Sequence, residues 1–208
     1  KKLIVGMLFV LLICGCTNEL LPLPEVSEGE RGTFGIDKNI NESTIDNYLN
    51  RSDSCYLDMR MLIDDATYEN IGGDSYLSGF IKGFEVVPYP YLAPIPELPE
   101  PVGLGYTGKT LFTITEEGEY VANYKESFEI LQYLFPKDKY IFLMCGGGGY
   151  AGLTKTMLVS LGWDETKIYN VGAYWSYEGE NNIKVKSVYN GEANYDFWKI
   201  PYHNIDFE

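Results

Sequence analysis

The sequence predicts an α/β fold built as three layers, with a mostly parallel central sheet and helices on both faces. Residues 140–144 are hydrophobic without interruption and lead into Cys145, which is typical of a strand buried on both faces. Four glycines follow, and residues 151–161 then repeat small and apolar residues at helical spacing. A further hydrophobic stretch at residues 167–171 completes the order strand, helix, strand, which indicates a parallel sheet.

The remaining elements are weaker in the sequence. Their predicted bounds, in chain order, are a helix at 44–49 capped by Asn41 or Ser43, a strand at 55–60, a short strand at 85–88, a possible strand at 110–114, and a helix at 123–134 with Tyr124, Phe128 and Leu131 on one stripe. The last helix ends before Pro136, because the residue before a proline disfavours helical angles.

Cys145 is the candidate nucleophile, because it stands between the end of a strand and the start of a helix. The first N–H groups of a helix have no internal partner and carry part of the positive end of its dipole, so they stabilise an anion such as a thiolate. Glycines let successive N–H groups turn inward. We therefore predict an anion-binding loop made of Gly146, Gly147, Gly148, Gly149, Tyr150 and Ala151.

The same glycines have other interpretations. Gly147, Gly149 and Gly152 match the dinucleotide pattern G-x-G-x-x-G, but the strand that follows ends without an acidic residue to hold a ribose. A nucleotide P-loop is disfavoured because Leu153 stands where lysine is required, and a flexible linker is disfavoured by the patterned flanks. A buried, inert cysteine beside a tight turn stays open.

The N-terminal residues predict export. Two lysines precede an apolar core at residues 3–13, which is too short to span a bilayer as a helix. The following Cys14-Gly15-Cys16 resembles the lipobox of bacterial lipoproteins, which implies cleavage after Gly15, lipid on Cys16 and an extracytoplasmic, membrane-anchored protein. An ordinary secretory leader is the alternative. We expect a leader at 1–15, an acidic, proline-containing extended tether at 16–32, and one domain at 33–208.

The charge of the chain excludes some partners. The net charge is −14, and it becomes −16 once the two lysines of residues 1–15 are removed. A body this acidic repels nucleic acid and anionic membrane surfaces, so lipid rather than charge would hold it at a membrane. No pattern indicates a metal or a cofactor, and we expect a monomer.

Four motifs, taken in chain order, resemble those of rhodanese-like domains. They are a D-x-R motif at Asp58-Met59-Arg60, a G-x-I-x-G outline at residues 79–84, the cysteine loop at 145–150, and Gly162-Trp163 followed by a strand and a Gly-to-Trp turn at 172–175. The resemblance covers about residues 40–178. It implies a sulfurtransferase in which Cys145 carries sulfur as a persulfide from a small sulfur donor to a thiol acceptor. Asp58 and Arg60 are expected to pair as structural support.

One departure from the family matters for function. The family's loop usually contains a cation that binds the donor's anionic end, whereas residues 146–149 supply no side chain and Tyr150 closes the loop. Backbone N–H groups, and one phenolic hydroxyl at most, would then hold the anion. A non-catalytic binding or assembly module is the alternative function.

Two segments lie outside the family pattern. An insertion at about 88–115 begins with a proline-rich stretch to residue 101, predicted to be an extended loop that acts either as a lid or as a rigid spacer. A C-terminal extension at about 179–208 is predicted to form a hairpin of residues 183–188 and 195–202 around Asn190-Gly191. It contains the only histidine, His203. Cys55 and Cys145 are expected about 10 Å apart, too far for a disulfide.

Overall fold

The protein is built around short strands of two to six residues. A computed structural model describes residues 20–27, 34–96, 98–184, 187–189 and 192–194. Its strands are β1 (Ser54–Asp58), β2 (Gly79–Ile81), β3 (Glu85–Val86), β4 (Phe112–Ile114), β5 (Tyr120–Ala122), β6 (Tyr140–Cys145), β7 (Ile168–Ala173), β8 (Asn182–Lys184), β9 (Ser187–Tyr189) and β10 (Glu192–Asn194).

The central sheet has four parallel strands in the order β3-β1-β6-β7. Leu143 of β6 lies beside Leu57 of β1, and a register shift after Leu143 places Cys145 beside Ala173 of β7. The predicted α/β class, the parallel sheet and its central strand are therefore confirmed. The strand predicted at residues 55–60 is β1, which ends earlier than predicted, at Asp58.

All α-helices of the described residues pack on one face of the sheet. They are α1 (Tyr89–Leu92), α2 (Ser127–Leu134) and α3 (Gly149–Ser160). Their buried side chains form one hydrophobic cluster with Leu57 and Leu143. In α2, the buried residues are Ser127, Leu131 and Leu134, so the predicted stripe is right for Leu131 and wrong for Phe128, which is 44% exposed.

The opposite face is covered without an α-helix in the described part of the chain, so the prediction of helices on both faces is wrong there. Its cluster includes a continuous stack of rings across three strands. Tyr56 stacks on Phe142 with ring centroids 4.9 Å apart, and Phe142 stacks on Tyr169 at 5.0 Å. The 3₁₀ turn Ile45–Tyr48 packs against this cluster through Ile45.

The predicted helix at residues 44–49 is replaced by this 3₁₀ turn for a local reason. Asp37 Oδ1 accepts hydrogen bonds from the backbone N–H groups of Asn39 and Ile40, and Thr44 Oγ1 donates to the carbonyl of Asn39. Side chains that bond to nearby backbone compete with helix formation. The residue before the turn is Thr44, and no side chain caps the turn, so the expected caps at Asn41 and Ser43 are wrong.

Residues 20–27 lie on the domain instead of extending away from it. The hydroxyl of Tyr169 donates to the carbonyl of Pro24 at 2.6 Å, and Arg51 Nη1 donates to the carbonyl of Leu21 at 2.7 Å. Leu23 and Val26 pack against the cluster on the ring-stacked face. The predicted tether is therefore wrong for these residues, because two apolar side chains and several backbone groups find partners on the domain.

The insertion is more ordered than the sequence predicts. Residues 88–101 contain α1 and the start of the 3₁₀ turn Glu100–Val102, so a purely extended loop is wrong. Proline is tolerated in the first turn of a helix, where Pro90 lies. Leu92 and Val102 are buried, and β4 pairs with β5, which favours the rigid-spacer interpretation over a lid.

The C-terminal extension pairs differently from the prediction. β8 forms an antiparallel pair with β2, and β9 pairs with β10, so a hairpin is present but is shorter and has a different second strand. Asn190, Gly191, residues 195–202 and His203 lie outside the described residues, as do the leader and Cys16. Among the residues that are described, no helix has the length and apolar character needed to cross a membrane.

Candidate functional site

Cys145 ends the central strand at the point where the chain turns into α3. Gly148 precedes that helix and has a φ of +96°, a left-handed conformation that residues with a side chain rarely adopt. A Cβ at this position would also lie 2.9 Å from Ile36 Cγ1. The turn from strand to helix therefore requires glycine here for both conformation and space.

The predicted N–H groups partly converge on the sulfur. The N–H of Gly148 donates to Cys145 Sγ at 3.1 Å, and the backbone N–H groups of Ala151 and Tyr150 also lower the pKa of the thiol. Gly149 begins α3, and Gly149 and Cys145 both line a cavity of the protein. The sulfur thus lies at the amino end of a helix of twelve residues, where an anion is stabilised.

Gly146 and Gly147 have a different role from the one predicted. A Cβ on Gly146 would lie 2.4 Å from the indole carbons of Trp175, and one on Gly147 would lie 3.5 Å from them. The carbonyl of Gly146 accepts a hydrogen bond from the N–H of Trp175. Gly146 lets the indole ring approach the loop backbone closely, whereas a Cβ on Gly147 would make an ordinary contact, and the spacing of the sequence did not reveal this.

Burial of Cys145 disfavours its thiolate. Cys145 is only 3% exposed. Burial raises its pKa, the three N–H groups oppose this effect, and the negative charge of Asp58 adds to it. A thiolate at this position needs further compensation, which a nearby cation or a bound ligand can supply.

Arg60 is a cation whose charge interacts with that of the Cys145 sulfur. Its Nε donates to Asp58 Oδ1 at 2.9 Å, and its Nη2 donates to Asp58 Oδ2 at 2.5 Å and to the carbonyl of Gly79 at 2.7 Å. The expected pairing of Asp58 with Arg60 is therefore present. Burial lowers the pKa of Arg60, but Asp58 most strongly, and Tyr174 and Cys145 as well, raise it, so the guanidinium stays charged.

One nitrogen of Arg60 is unused. Nη1 is buried and has no hydrogen-bond partner among the described residues, and Nε1 of Trp175 is in the same condition. Arg60, Trp175 and Cys145 line one cavity. Sequence reasoning assigned Arg60 to structural support alone, although its place just after β1 put it at the carboxyl edge of the sheet beside Cys145.

The hydroxyl of Tyr150 is not available to an anion. It donates to Asp64 Oδ2 at 2.8 Å and is bonded to the hydroxyl of Tyr68 at 2.7 Å. Burial raises the pKa of Asp64, while this hydrogen bond lowers it. The expected phenolic contact to a bound anion is therefore wrong for this structure, and the contribution of Tyr150 comes through its N–H.

The cavity in front of Cys145 has a volume of about 750 Å³. Its lining includes Cys145 and Arg60. Its walls are mainly apolar and include Met61, Ile71, Ile95, Leu98, Leu153 and Val159. The arrangement provides a thiol, a backbone N–H donor to its sulfur and a buried cation in the lining of an organic-sized pocket.

The other candidate groups lie elsewhere. Cys55 is beside Ile141, four residues before Cys145 on β6, and both cysteines are free, as predicted. His203 is outside the described residues, so the structure gives no placement for a Cys-His pair. The described residues contain no group of three or more His, Cys, Asp or Glu side chains placed to bind a metal ion.

Comparison with known proteins found no protein-family model, no curated protein and no solved structure that matches this chain. The α/β fold with its parallel sheet is established by the structure. The function has to be argued from the chemistry around Cys145.

Proposed function

We propose that this chain is a rhodanese-like sulfurtransferase in which Cys145 accepts sulfur from a small donor and passes it to a thiol acceptor. The observation that carries the proposal is the hydrogen bond from the N–H of Gly148 to the Cys145 sulfur at the start of α3, where the N–H groups of Ala151 and Tyr150 also lower the pKa of the thiol. This arrangement favours a negative charge on sulfur, both on the attacking thiolate and on a persulfide. The protein would act as a monomer without a metal or a cofactor.

The reaction needs no external oxidant. The Cys145 thiolate attacks the outer sulfur of thiosulfate, the S–S bond of the donor breaks, and sulfite leaves with the bonding electron pair. Cys145 then carries the persulfide Cys–S–S⁻. An acceptor thiolate attacks the outer sulfur of this persulfide, which forms a new persulfide on the acceptor and returns Cys145 as a thiolate.

Arg60 supplies the charge that the loop itself lacks. Its Nη1 is buried without a partner in the part of the chain that the structure describes, and its charge interacts with that of Cys145. A buried donor without a partner is costly, so a ligand that accepts a hydrogen bond from Nη1 recovers that cost on binding. The paired Asp58 limits this effect, because it raises the pKa of Cys145.

The proposal is tested by persulfide formation. Wild-type protein, Cys145→Ser and the matched control Cys55→Ser are incubated with thiosulfate or mercaptopyruvate, and released sulfite or pyruvate is measured together with the mass of the Cys145 peptide. We expect one added sulfur atom on Cys145 in wild type and in Cys55→Ser, and no turnover in Cys145→Ser. Equal release by wild type and Cys145→Ser, with no added sulfur on Cys145, would falsify the proposal.

A second candidate function is a binding or assembly module that does not turn over. The low exposure of Cys145 and the rise of its pKa on burial favour it, because both oppose nucleophilic attack. In this case the thiol would resist modification by every sulfur donor. The persulfide measurement on intact protein separates the two functions.

We also propose that lipid on Cys16 anchors the protein to a bacterial membrane outside the cytoplasm. The support is the sequence of residues 3–16 and the strong negative charge, which offers no electrostatic attraction to an anionic surface. Replacement of Cys16 by serine in the full chain should move the protein from the membrane fraction to the soluble fraction. An unchanged distribution between the two fractions would contradict the anchor.

A further inference from the structure

The cavity at Cys145 is much larger than the simplest sulfur donors. Its volume of about 750 Å³ lies within the roughly 300–1,000 Å³ that accommodate an organic ligand of drug size. Thiosulfate and cyanide have only a few heavy atoms and would contact only the part of the lining next to Cys145. The remaining wall would stay exposed to water, although most of it is apolar.

The walls come from three separate parts of the fold. Ile71 belongs to the 3₁₀ turn Tyr68–Ile71, Ile95 and Leu98 belong to the insertion, and Leu153 belongs to α3. The insertion is fixed by buried residues and by the bond of Thr67 Oγ1 to the carbonyl of Val102. Apolar surface held in place on several sides is suited to an apolar ligand.

The charges around the cavity disfavour a ligand with negative charge on its body. Asp64, Asp74 and Glu165 line the cavity, and its lining cations are Arg60, which is paired with Asp58, and Lys155, whose Nζ lies 3.9 Å from Glu165. The chain as a whole carries a net charge of −14. An anionic group is thus favoured only at the sulfur, near the N–H groups and Arg60 Nη1.

We propose that the physiological sulfur donor of this site is the persulfide of an apolar organic thiol whose body carries no negative charge and has about the size of a benzyl group. This inference rests on the proposed function. The Cys145 thiolate attacks the outer sulfur of R–S–SH, the S–S bond breaks, and R–S⁻ leaves with the electron pair, while Cys145 keeps the outer sulfur as Cys–S–SH. The apolar group R occupies the wall around Ile71 and Leu153.

Binding of the product thiol tests this without requiring turnover. Benzyl mercaptan, 2-mercaptoethanol and the dianionic mercaptosuccinate are titrated into the full-length protein at pH 7, with calorimetry as the readout. We expect benzyl mercaptan to bind at least about tenfold more tightly than the other two thiols, because burial of an aromatic ring contributes well over one factor of ten.

Two aspartate variants locate the binding. Ile71 is 47% exposed and lines the cavity, whereas Val121 on β5 is 50% exposed and does not line it. Ile71→Asp should weaken benzyl mercaptan binding at least about tenfold, because it places a desolvated charge against the ring, and Val121→Asp should leave it unchanged. Similar exposure makes both variants expected to fold.

The outcomes distinguish this inference from the proposed function. Absence of tighter benzyl mercaptan binding, or an equal effect of the two aspartate variants, overturns the apolar donor even where thiosulfate places sulfur on Cys145. Tight and Ile71-dependent binding supports the apolar donor. Benzyl persulfide should then transfer sulfur to Cys145 at least about tenfold faster than thiosulfate at equal concentration, and an equal or slower rate also overturns the inference.

Discussion

The two ends of the central sheet hold the same chemical groups in opposite arrangements. At the amino end, Cys55 Sγ donates a hydrogen bond to the carbonyl of Tyr140 at 3.6 Å. At the carboxyl end, Cys145 Sγ accepts one from the N–H of Gly148 at 3.1 Å. A donating thiol has to keep its proton, whereas an N–H that donates to the sulfur offsets part of the rise in pKa that burial causes. The difference follows from strand direction, because α3 starts only at the carboxyl end.

An arginine–aspartate pair accompanies each cysteine, and the two pairs differ in burial. Arg51 bonds to Asp53 just before β1, where the Asp53 side chain is 45% exposed. Arg60 follows the end of β1 and bonds to Asp58, the last residue of that strand, which is fully buried. Water can replace Arg51 as a partner of Asp53, whereas it has little access to Asp58. Only the pair of Arg60 and Asp58 therefore constrains the site.

The largest expected difference between the two ends comes from removing each arginine. Arg60→Met leaves Asp58 as a buried charge without its ion pair and should lower the free energy of unfolding by about 3–5 kcal/mol. Arg51→Met should cost about 1 kcal/mol or less, because Asp53 is solvated. Urea unfolding of both variants measures the two costs. Equal losses would show that burial does not distinguish the pairs.

A second contrast concerns the glycine that allows the N–H groups to reach Cys145. Gly148 and Gly118 both have positive φ, of +96° and +83°, but a Cβ at Gly118 would meet nothing within 4 Å. Gly118→Ala should therefore cost only the conformational term of about 1–2 kcal/mol. Gly148→Ala should cost about 1–3 kcal/mol more, because its Cβ would collide with Ile36.

Urea unfolding of the two alanine variants supplies this measurement, with Gly118→Ala as the matched control at a site far from the cysteine in sequence. Gly148→Ala should also slow sulfur loading of Cys145, since the N–H that bonds to the sulfur has to move. Equal free-energy losses for the two variants would mean that Ile36 shifts without cost and that the turn is less constrained than its contacts indicate.

The sequence was sufficient for the carboxyl end of the sheet and insufficient for what surrounds it. The strand at 140–145 and the helix after it could be predicted, because an unbroken apolar run and a glycine turn are local signals. The helix at 44–49 failed because Asp37 and Thr44 bond to nearby backbone, a competition that depends on the exact placement of a few side chains.

The chemistry of the site was likewise only half predictable. Helix position and glycine content pointed to N–H donors for Cys145, and the structure provides the bond from Gly148, with Ala151 and Tyr150 also lowering the pKa of the thiol. The approach of Trp175 to Gly146 and the unpartnered Nη1 of Arg60 arise from contacts between segments that are far apart in the chain. Neither has a periodic or local signature that a single sequence could show.

The smallest expected effect is a pH dependence of stability that comes from Cys55 at the amino end of the sheet. Burial raises the pKa of Cys55 to about 12, so the folded protein keeps this proton at pH values where the unfolded chain, with an ordinary thiol pKa near 9, loses it. The resulting stability is fully present below about pH 9 and is lost as pH rises toward 12, at up to about 1.4 kcal/mol per pH unit.

Cys55→Ser should remove this dependence, because serine can donate to the same carbonyl and does not ionise in this range. Urea unfolding at pH 8, 9 and 10 should show wild type losing about 1 kcal/mol more than Cys55→Ser between pH 9 and 10, with the tyrosines titrating equally in both. Identical slopes would show that the Cys55 thiol ionises in the folded protein as it does in the unfolded chain. In that case the hydrogen bond from Cys55 would distinguish the two cysteines in geometry, but it would add no pH dependence to the free energy of unfolding.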